Sequence, residues 1–404
     1  MPRILISAAE PSGDLHGAAL IRAARRLNEE IEFVGVAGPA MQAAGCRALA
    51  DLTGHSAMLL GALGNIQRGR RVLNSVRDCL AQSPCDAAVV IDSPMLHLPM
   101  AKHISRAGVP VLYYVAPQLW AWGRWRMARL RRRTAHLAVI LPFEQGFFQS
   151  HHCTATFVGH PLFDTLLERS PDESAVNGFR QAGEPVIALL PGSRAQEINS
   201  LLPDQLRIAQ AIRQQYPKAH IVVSIADARL AGAVETHLNR ASTPVAVHRG
   251  PLVNLLSAAK LALVASGTVT LEVAYYRTPM IVMYNASKWF YHLLGRWLIH
   301  TEHLSLVNIL AGRELVPEFM PYYSDTAPIT ATALGLLADD DRRDRMSGEL
   351  GALIAPLAHR GASERTAELL LDLVAQYRNR QGAARATPQA GADRPKAACS
   401  RSRD

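Results

Sequence analysis

The sequence is poor in cysteine and contains no long uninterrupted apolar run. Its five cysteines are scattered without the paired spacing of a zinc site, which argues against structural zinc and favours a reducing cytoplasm. No stretch of about 18 uncharged apolar residues occurs, so we expect no membrane-spanning helix. The apolar stretch within Met1–Glu10 is too short for a secretory signal, and we interpret it as the first strand of the fold.

The length of the chain indicates how many domains it forms, and its charge indicates which partners it favours. The chain has 404 residues, of which 49% are hydrophobic, enough for two domains with cores of their own. It carries 43 Lys and Arg against 34 Asp and Glu. The net charge of +9 favours anionic partners such as nucleic acid, acidic lipid surfaces or phosphorylated substrates. Part of this charge lies in residues 378–404, which are rich in Ala, Gly, Pro and Arg and are predicted to be a disordered basic tail.

Short apolar and β-branched runs alternate with longer amphipathic segments. The predicted strands are Arg3–Ser7, Phe33–Ala37, Ala87–Ile91, Val111–Val115, Leu137–Leu141, Thr156–Val158, Val186–Leu190, His220–Ser224, Val245–His248, Leu261–Ala265 and Met280–Met283. Such alternation is typical of parallel sheets with helices on both faces. We predict an α/β fold of two Rossmann-like, doubly wound domains, residues 1–167 and 185–355. A polar linker, residues 168–184, joins them, and a helix over residues 356–377 follows. Ligands of such sheets bind at the carboxyl ends of the strands, here in the cleft between the domains.

Two loops of the second domain have the composition of anion-binding turns. In the first, Gly192 allows close backbone approach, Ser193 offers a hydroxyl, and Arg194 offers a charged fork for phosphate oxygens. The alternative is a helix cap with a surface arginine. The second loop, Ser266-Gly267-Thr268, precedes a helix on which Glu272 could accept two hydrogen bonds from a ribose diol. The alternative for Glu272 is a solvated glutamate near a helix start. Together the loops predict a nucleotide site.

Titratable residues in the first domain follow two predicted strands. Glu10, Asp14 and His16 come after the first strand, and His16 could act as a general base. Asp92 ends a strand at the ligand edge, where a carboxylate can take a proton from an attacking hydroxyl. Capping or packing is the alternative for each of them.

Two segments combine aromatic and basic residues. The first, Trp120–Arg133, includes Trp125 and Arg129 and could contact phosphate, acidic lipid or nucleic acid, or be a solvated basic helix. The second, residues 288–299, suits a helix on a membrane or along an acyl groove, or a buried core helix. Its candidate lipid-contacting residues are Trp289, Phe290, Leu293 and Trp297.

A series of ordered motifs resembles the lipid-A-disaccharide synthase family, from about Ile4 to about Val374. The motifs are Ala9-Glu-Pro-Ser-Gly-Asp14, Phe33-Val-Gly-Val-Ala-Gly-Pro39, Ile91-Asp-Ser-Pro94, Leu119-Trp-Ala-Trp122, Leu141-Pro-Phe-Glu144, Phe157-Val-Gly-His160, Leu190-Pro-Gly-Ser-Arg194, Ala265-Ser-Gly-Thr268 with Glu272, and Ser305–Leu315.

The resemblance implies an inverting glycosyltransferase of the GT-B architecture. It implies UDP-2,3-diacylglucosamine as donor, 2,3-diacylglucosamine 1-phosphate as acceptor, a β-1′,6-linked product and no cofactor or catalytic metal. It matches Asp92 to the base, Arg194 to the diphosphate, Glu272 to the ribose and Asn308 to the donor side. It also implies a peripheral protein on the cytoplasmic face of the inner membrane, with no nucleic-acid partner; a homodimer is left open.

The departures from the family pattern lie mainly in the first domain, where Met95 and His97 replace an aspartate and an asparagine. An altered acceptor is therefore one alternative. Others are a different GT-B-fold transferase or a sugar-nucleotide epimerase, and, in another class, a protein that binds nucleic acid or membrane surfaces through its basic segments.

Overall fold

The computed structural model describes residues 1–52, 62–285 and 302–386. In the first domain, seven described strands form one parallel sheet in the order β3-β2-β1-β4-β5-β6-β7. The strands are β1 Arg3–Ala8, β2 Glu32–Val36, β3 Arg47–Ala50, β4 Ala87–Ile91, β5 Val111–Tyr114, β6 His136–Val139 and β7 Ala155–Phe157. The central strand β4 is buried throughout, as expected for a strand that is covered on both faces.

Helices cover both faces of this sheet. They are α1 Pro11–Leu27, α2 Pro39–Ala43, α3 Ala62–Gln82, α4 Pro94–Arg106, α5 Met127–Arg133 and α6 Pro142–Ser150. Proline opens α1, α2, α4 and α6. Its fixed φ suits the first helical position, where a missing N–H costs no hydrogen bond, so the sequence itself sets where these helices begin after their strands.

The second domain repeats the plan with a six-stranded sheet in the order β10-β9-β8-β11-β12-β13. Its strands are β8 Val186–Leu190, β9 His220–Ser224, β10 Ala246–His248, β11 Leu261–Ala265, β12 Met280–Met283 and β13 Glu318–Phe319. Its helices are α8 Glu173–Ala182, α9 Ala195–Gln215, α10 Ala231–Leu238, α11 Leu252–Ala258, α12 Val269–Tyr275, α13 Leu306–Ala311, α14 Ala327–Ala338 and α15 Asp340–Ile354. The two sheets confirm the predicted pair of Rossmann-like domains.

The chain crosses between the domains twice. Helix α7, Pro161–Leu166, places Phe163 in the core of the second domain. Helix α16, Ala362–Ala386, returns and packs Leu370 against the core of the first domain. The Asp164 carboxylate joins the two crossings, because it accepts hydrogen bonds from three successive backbone N–H groups at the start of α16. The domains are therefore tied together at one side of the cleft.

The structure revises three boundaries expected from the sequence. Residues 168–184 are not a plain linker, because α8 lies within them and packs Val176 into the second core. The last helix begins at Ala362 and continues past Tyr377 to Ala386, and Arg378 in this extension pairs with Asp86 at 2.7 Å. Residues 378–386 are thus helical, whereas the rest of the predicted tail lies outside the described residues. Strands β3 and β13 were not predicted.

Candidate active site

Asp92 lies, half-buried, in the turn between β4 and α4. Asp92 and Ser93 both have left-handed backbones, with φ of 51° and 44°, which is uncommon for residues other than glycine. Burial raises the pKa of the Asp92 carboxyl and the charge of Glu10 adds to this rise, whereas the Ser93 N–H and Arg194 oppose it. A carboxylate with a raised pKa at the end of a parallel strand is suited to accept a proton.

Buried side chains hold the backbone of this turn. The Asp92 carbonyl oxygen accepts hydrogen bonds from Tyr113 Oη and from His97 Nδ1, both at 2.7 Å. The Asp92 N–H donates to the Tyr114 carbonyl at 3.1 Å. From the sequence, Tyr113 is predicted only as part of a strand and His97 only as a departure from a motif, since neither position carries a signal of a contact to Asp92.

The loop after β8 already holds a carboxylate. Gly192 has φ of 118°, and a side chain there would collide with Glu197. The two oxygens of Glu197 accept hydrogen bonds from the Ser193 N–H at 2.9 Å and from Arg194 at 3.0 Å. A backbone N–H and a guanidinium that grip one anion are equally suited to phosphate oxygens. Glu197 was not predicted from the sequence; it lies three residues after Arg194, in the first turn of α9.

Arg194 also reaches across the cleft. Its Nη2 donates to Glu10 of the first domain at 2.8 Å, and both side chains are partly exposed. Since Glu10 and Arg194 both affect the pKa of Asp92, the three charged groups form one electrostatic cluster. The structure therefore brings together the predicted base and the predicted phosphate-binding arginine from opposite domains.

The second predicted loop of this domain follows β11 and lies open. Gly267 has φ of 153°, and a Cβ added there would meet no atom within 4 Å. Ser266 is half-buried and Thr268 is exposed. In α12, burial raises the pKa of Glu272. Its Oε1 is buried and has no hydrogen-bond partner among the described residues, and the nearest cation, Arg169, lies 3.9 Å away. A buried carboxylate oxygen without a donor is suited to a ligand hydroxyl.

Asp14 and Asn308 have structural roles instead of the predicted ones. Asp14 is buried and caps α2, since its two oxygens accept hydrogen bonds from the N–H groups of Ala40 at 2.8 Å and Met41 at 3.1 Å. A carboxylate engaged in this way is not placed to take a proton in the cleft.

Asn308 is fully buried and its amide is saturated. Nδ2 donates to the Val316 carbonyl and to Glu318, and Oδ1 accepts from the N–H groups of Leu315 and Val316. No polar atom of the side chain remains for a donor substrate, so Asn308 supports the loop before β13 rather than contacting a ligand.

His16 lies apart from the cluster around Arg194. Burial lowers its pKa to about 4, and the charge that opposes this shift belongs to Asp164 at α7. Its ring lies edge-on to Tyr114, with centroids 6.4 Å apart. His16 is thus neutral near pH 7.

The aromatic and basic segment before α5 is exposed. Trp125 is 58% exposed, Arg126 stacks on it at 4.8 Å and Arg129 at 5.1 Å. Trp122 is 40% exposed and also stacks on Arg126. The second predicted segment, with Trp289, Phe290, Leu293 and Trp297, lies outside the described residues.

A buried hydrogen bond joins two of the sequence motifs, Leu119–Trp122 and Leu141–Glu144. Trp120 of the Leu119–Trp122 motif is buried and donates its indole N–H to Glu144 at 2.9 Å. The other oxygen of Glu144 accepts from the N–H groups of Ile140 and Leu141 at the start of α6. This contact fixes the loop that presents Trp122.

Within residues 1–52, 62–285 and 302–386, no group of three or more His, Cys, Asp and Glu could hold a metal ion. No helix in the same part of the chain has the length and hydropathy to cross a membrane.

The chain is similar to known proteins along most of its length. A family model described as "Lipid-A-disaccharide synthetase" matches residues 4–370. The lipid-A-disaccharide synthase of Syntrophus aciditrophicus is 34% identical over 374 residues, which are 92% of this chain and 97% of that protein.

Solved structures of low identity share the fold. A putative UDP-N-acetylglucosamine 2-epimerase from Listeria monocytogenes superposes with a TM-score of 0.64 at 12% identity, over 94% of this chain and 97% of that one. CalG4, the calicheamicin glycosyltransferase, superposes with a TM-score of 0.57 at 15% identity, over 93% and 99% of the two chains. Both likenesses concern the two-domain architecture alone.

Proposed function

The chain belongs to the lipid-A-disaccharide synthase family, and from that membership we propose the reaction that its residues perform. It is a glycosyltransferase of lipid A biosynthesis. We assign UDP-2,3-diacylglucosamine as the donor and 2,3-diacylglucosamine 1-phosphate as the acceptor. The acceptor 6-hydroxyl attacks the anomeric carbon, a β-1′,6 bond forms, and UDP leaves with inversion.

One observation carries the proposal: residues of both domains meet as a single charged cluster in the cleft. The Arg194 guanidinium pairs with Glu10 of the first domain. Its charge also acts on Asp92, where it opposes the rise in pKa that burial causes. Inversion requires a base on one side of the anomeric carbon and a stabilised leaving group on the other. Asp92 and Arg194 supply these two functions from opposite domains.

The donor nucleotide would occupy the loops of the second domain. The diphosphate takes the place of the Glu197 carboxylate at the Ser193 N–H and the Arg194 guanidinium. The ribose hydroxyls donate to Glu272, whose buried Oε1 has no donor among the described residues. This assignment gives the unpaired oxygen a partner and the exposed Arg194 a dianionic ligand.

The transfer step then needs one proton movement. Asp92 accepts the proton of the acceptor 6-hydroxyl while that oxygen bonds to the anomeric carbon and the bond to the diphosphate oxygen breaks. The negative charge that develops on UDP is stabilised by Arg194 and the Ser193 N–H. The raised pKa of Asp92 brings its proton affinity closer to that required at neutral pH.

The acylated substrates are expected to reach the cleft from a membrane. We propose that the exposed Trp122 and Trp125, with Arg126 and Arg129, contact the cytoplasmic face of the inner membrane, to which the protein binds peripherally. Aromatic rings beside guanidinium groups are suited to an anionic interface. Sedimentation with anionic vesicles tests this: W125A/R129A should lower the bound fraction, and unchanged binding would contradict it.

The test of the reaction is incubation of the purified protein with both acylated substrates, followed by mass analysis. We expect a disaccharide 1-phosphate and UDP in equal amounts, and far less of both with D92N over the same time. UDP release without the disaccharide would contradict the assigned acceptor. Conversion of a UDP-sugar to its epimer, measured in the absence of acceptor, would favour an epimerase instead.

A further inference from the structure

Two buried polar side chains contact the backbone of Asp92, and a third holds one of them. The Nδ1 atom of His97 and the Oη atom of Tyr113 each lie 2.7 Å from the Asp92 carbonyl oxygen. The Nε2 atom of His97 lies 2.9 Å from Ser7 Oγ on β1. All three side chains are buried. His97 and Tyr113 therefore hold the one residue that is proposed to accept the proton, and Ser7 holds His97.

The contacts define the tautomer of His97. The Asp92 carbonyl can only accept a hydrogen bond, so the proton of the neutral imidazole lies on Nδ1. Nε2 is then an acceptor, and the Ser7 hydroxyl donates to it. Burial lowers the pKa of His97 to about 4, so the ring remains neutral near pH 7 and keeps this arrangement.

The two donors fix the peptide plane that follows Asp92. Both lone pairs of the carbonyl oxygen are used, one by His97 and one by Tyr113. Asp92 has φ of 51°, and Ser93 follows with φ of 44°. Such conformations persist only where the surroundings determine them. The direction of the Asp92 carboxylate depends on this backbone, and these buried donors hold it.

We infer that His97 is a positioning residue of the transfer reaction: its Nδ1–H holds the Asp92 carbonyl, and through it the carboxylate that serves as base. The inference rests on the proposed role of Asp92. His97 itself does not touch substrate, and Ser7 orients its ring.

Two substitutions separate the two ends of the imidazole. In H97N the amide nitrogen takes the place of Nδ1 and can still donate to Asp92, but the contact with Ser7 is lost. In H97Q the amide nitrogen reaches the place of Nε2 and can contact Ser7, but the donor to Asp92 is lost. Both variants place an amide in the buried imidazole site, and H97N leaves the larger volume empty, so a packing defect alone would harm H97N more than H97Q.

We expect H97N to keep kcat within about threefold of the unsubstituted enzyme. H97Q should lower kcat by about 10- to 100-fold, the range expected when a reacting group is misplaced by an ångström or less. KM for the UDP-sugar should stay the same in both, because the donor loops lie in the other domain. H136N is the control, since His136 starts β6 and bonds Thr156, and it should leave kcat unchanged.

For each variant, both kcat and the melting temperature are measured. Equal kcat values for H97N and H97Q would overturn the inference, and so would a loss of kcat that follows the loss of melting temperature. Turnover by the unsubstituted enzyme reports on the proposed function separately. Nitrogen-15 NMR of the imidazole needs no turnover: a proton on Nδ1 is expected, and a proton on Nε2 alone would overturn the inference.

Discussion

The two sides of the cleft are prepared for their ligands in different ways. On the first side, the backbone of Asp92 is fixed by buried donors, and its carboxylate lies in a half-buried turn. On the second side, the Arg194 side chain is exposed and is gripped by carboxylates of the protein, Glu197 and Glu10. On the first side the base is held in position by buried hydrogen bonds, whereas on the second side the protein's own carboxylates occupy the anion-binding groups.

This difference indicates a division of labour. A base must be placed accurately before the reaction, so its position is set by the core of the first domain. The guanidinium and the backbone N–H groups of a site for a dianion are donors that favour anionic acceptors. Glu197 and Glu10 supply such acceptors in the structure. In the proposed reaction the diphosphate replaces them, so donor binding would change the charges around Asp92.

Removal of the base should give the largest effect. D92N preserves the size of the side chain but removes the proton acceptor, and we expect kcat to fall by about 10²- to 10⁴-fold. UDP affinity, measured by calorimetry, should stay within about twofold because the nucleotide loops are untouched. Appreciable residual turnover would break the comparison and move the base to another group, with His16 as the next candidate.

Removal of the Arg194 guanidinium should weaken the binding of UDP. R194A loses charge-assisted hydrogen bonds to the diphosphate, each worth about 1.5–3 kcal/mol, so UDP affinity should fall by about 10- to 100-fold. R213A is the matched control, since Arg213 lies in the last turn of α9, the helix that Arg194 precedes, and donates to the carbonyl oxygens of Pro244 and Pro217 at 3.4 Å. Unchanged UDP affinity in R194A would remove the diphosphate from this loop.

The architecture could be predicted from the sequence because buried parallel strands are continuous apolar runs. Strands such as Ala87–Ile91 and Val186–Leu190 lie where expected. By contrast, β13 has two residues, too few for any pattern, and the half-exposed β3 has no continuous apolar run.

The polar residues of the site also differ in how well the sequence predicts their roles. Asp92 and Arg194 are predicted from the sequence because each lies in the turn that follows a continuous apolar strand. Asn308 was misassigned, since its partners come from the segment up to Glu318 and only folding shows that they saturate the amide. The contact of His97 with Asp92 depends on an unusual backbone conformation, which no residue type in that turn signals.

A third test concerns Glu272 of the second domain and its proposed contact with the ribose. E272Q replaces one acceptor oxygen by a donor, so the side chain can no longer accept hydrogen bonds from both ribose hydroxyls. We expect UDP affinity to fall by about tenfold, and the preference for UDP over 2′-deoxy-UDP to shrink, on the scale of one lost hydrogen bond. E235Q, on an exposed pair with Arg249, is the control. A preference for UDP that survives in E272Q would place the ribose elsewhere.

The smallest expected effect concerns the charge linkage between the two sides. The base must be ionised, so kcat/KM falls as the pH drops through the pKa of Asp92 in the free enzyme. Glu10 raises that pKa and Arg194 lowers it. In E10Q the anion is removed and Arg194 is released from its pair, so the acid limb of the profile should move to lower pH. In R194A it should move to higher pH. Shifts of the same sign in both variants would contradict the cluster, since only a base placed between an anion and a cation responds to their removal in opposite directions.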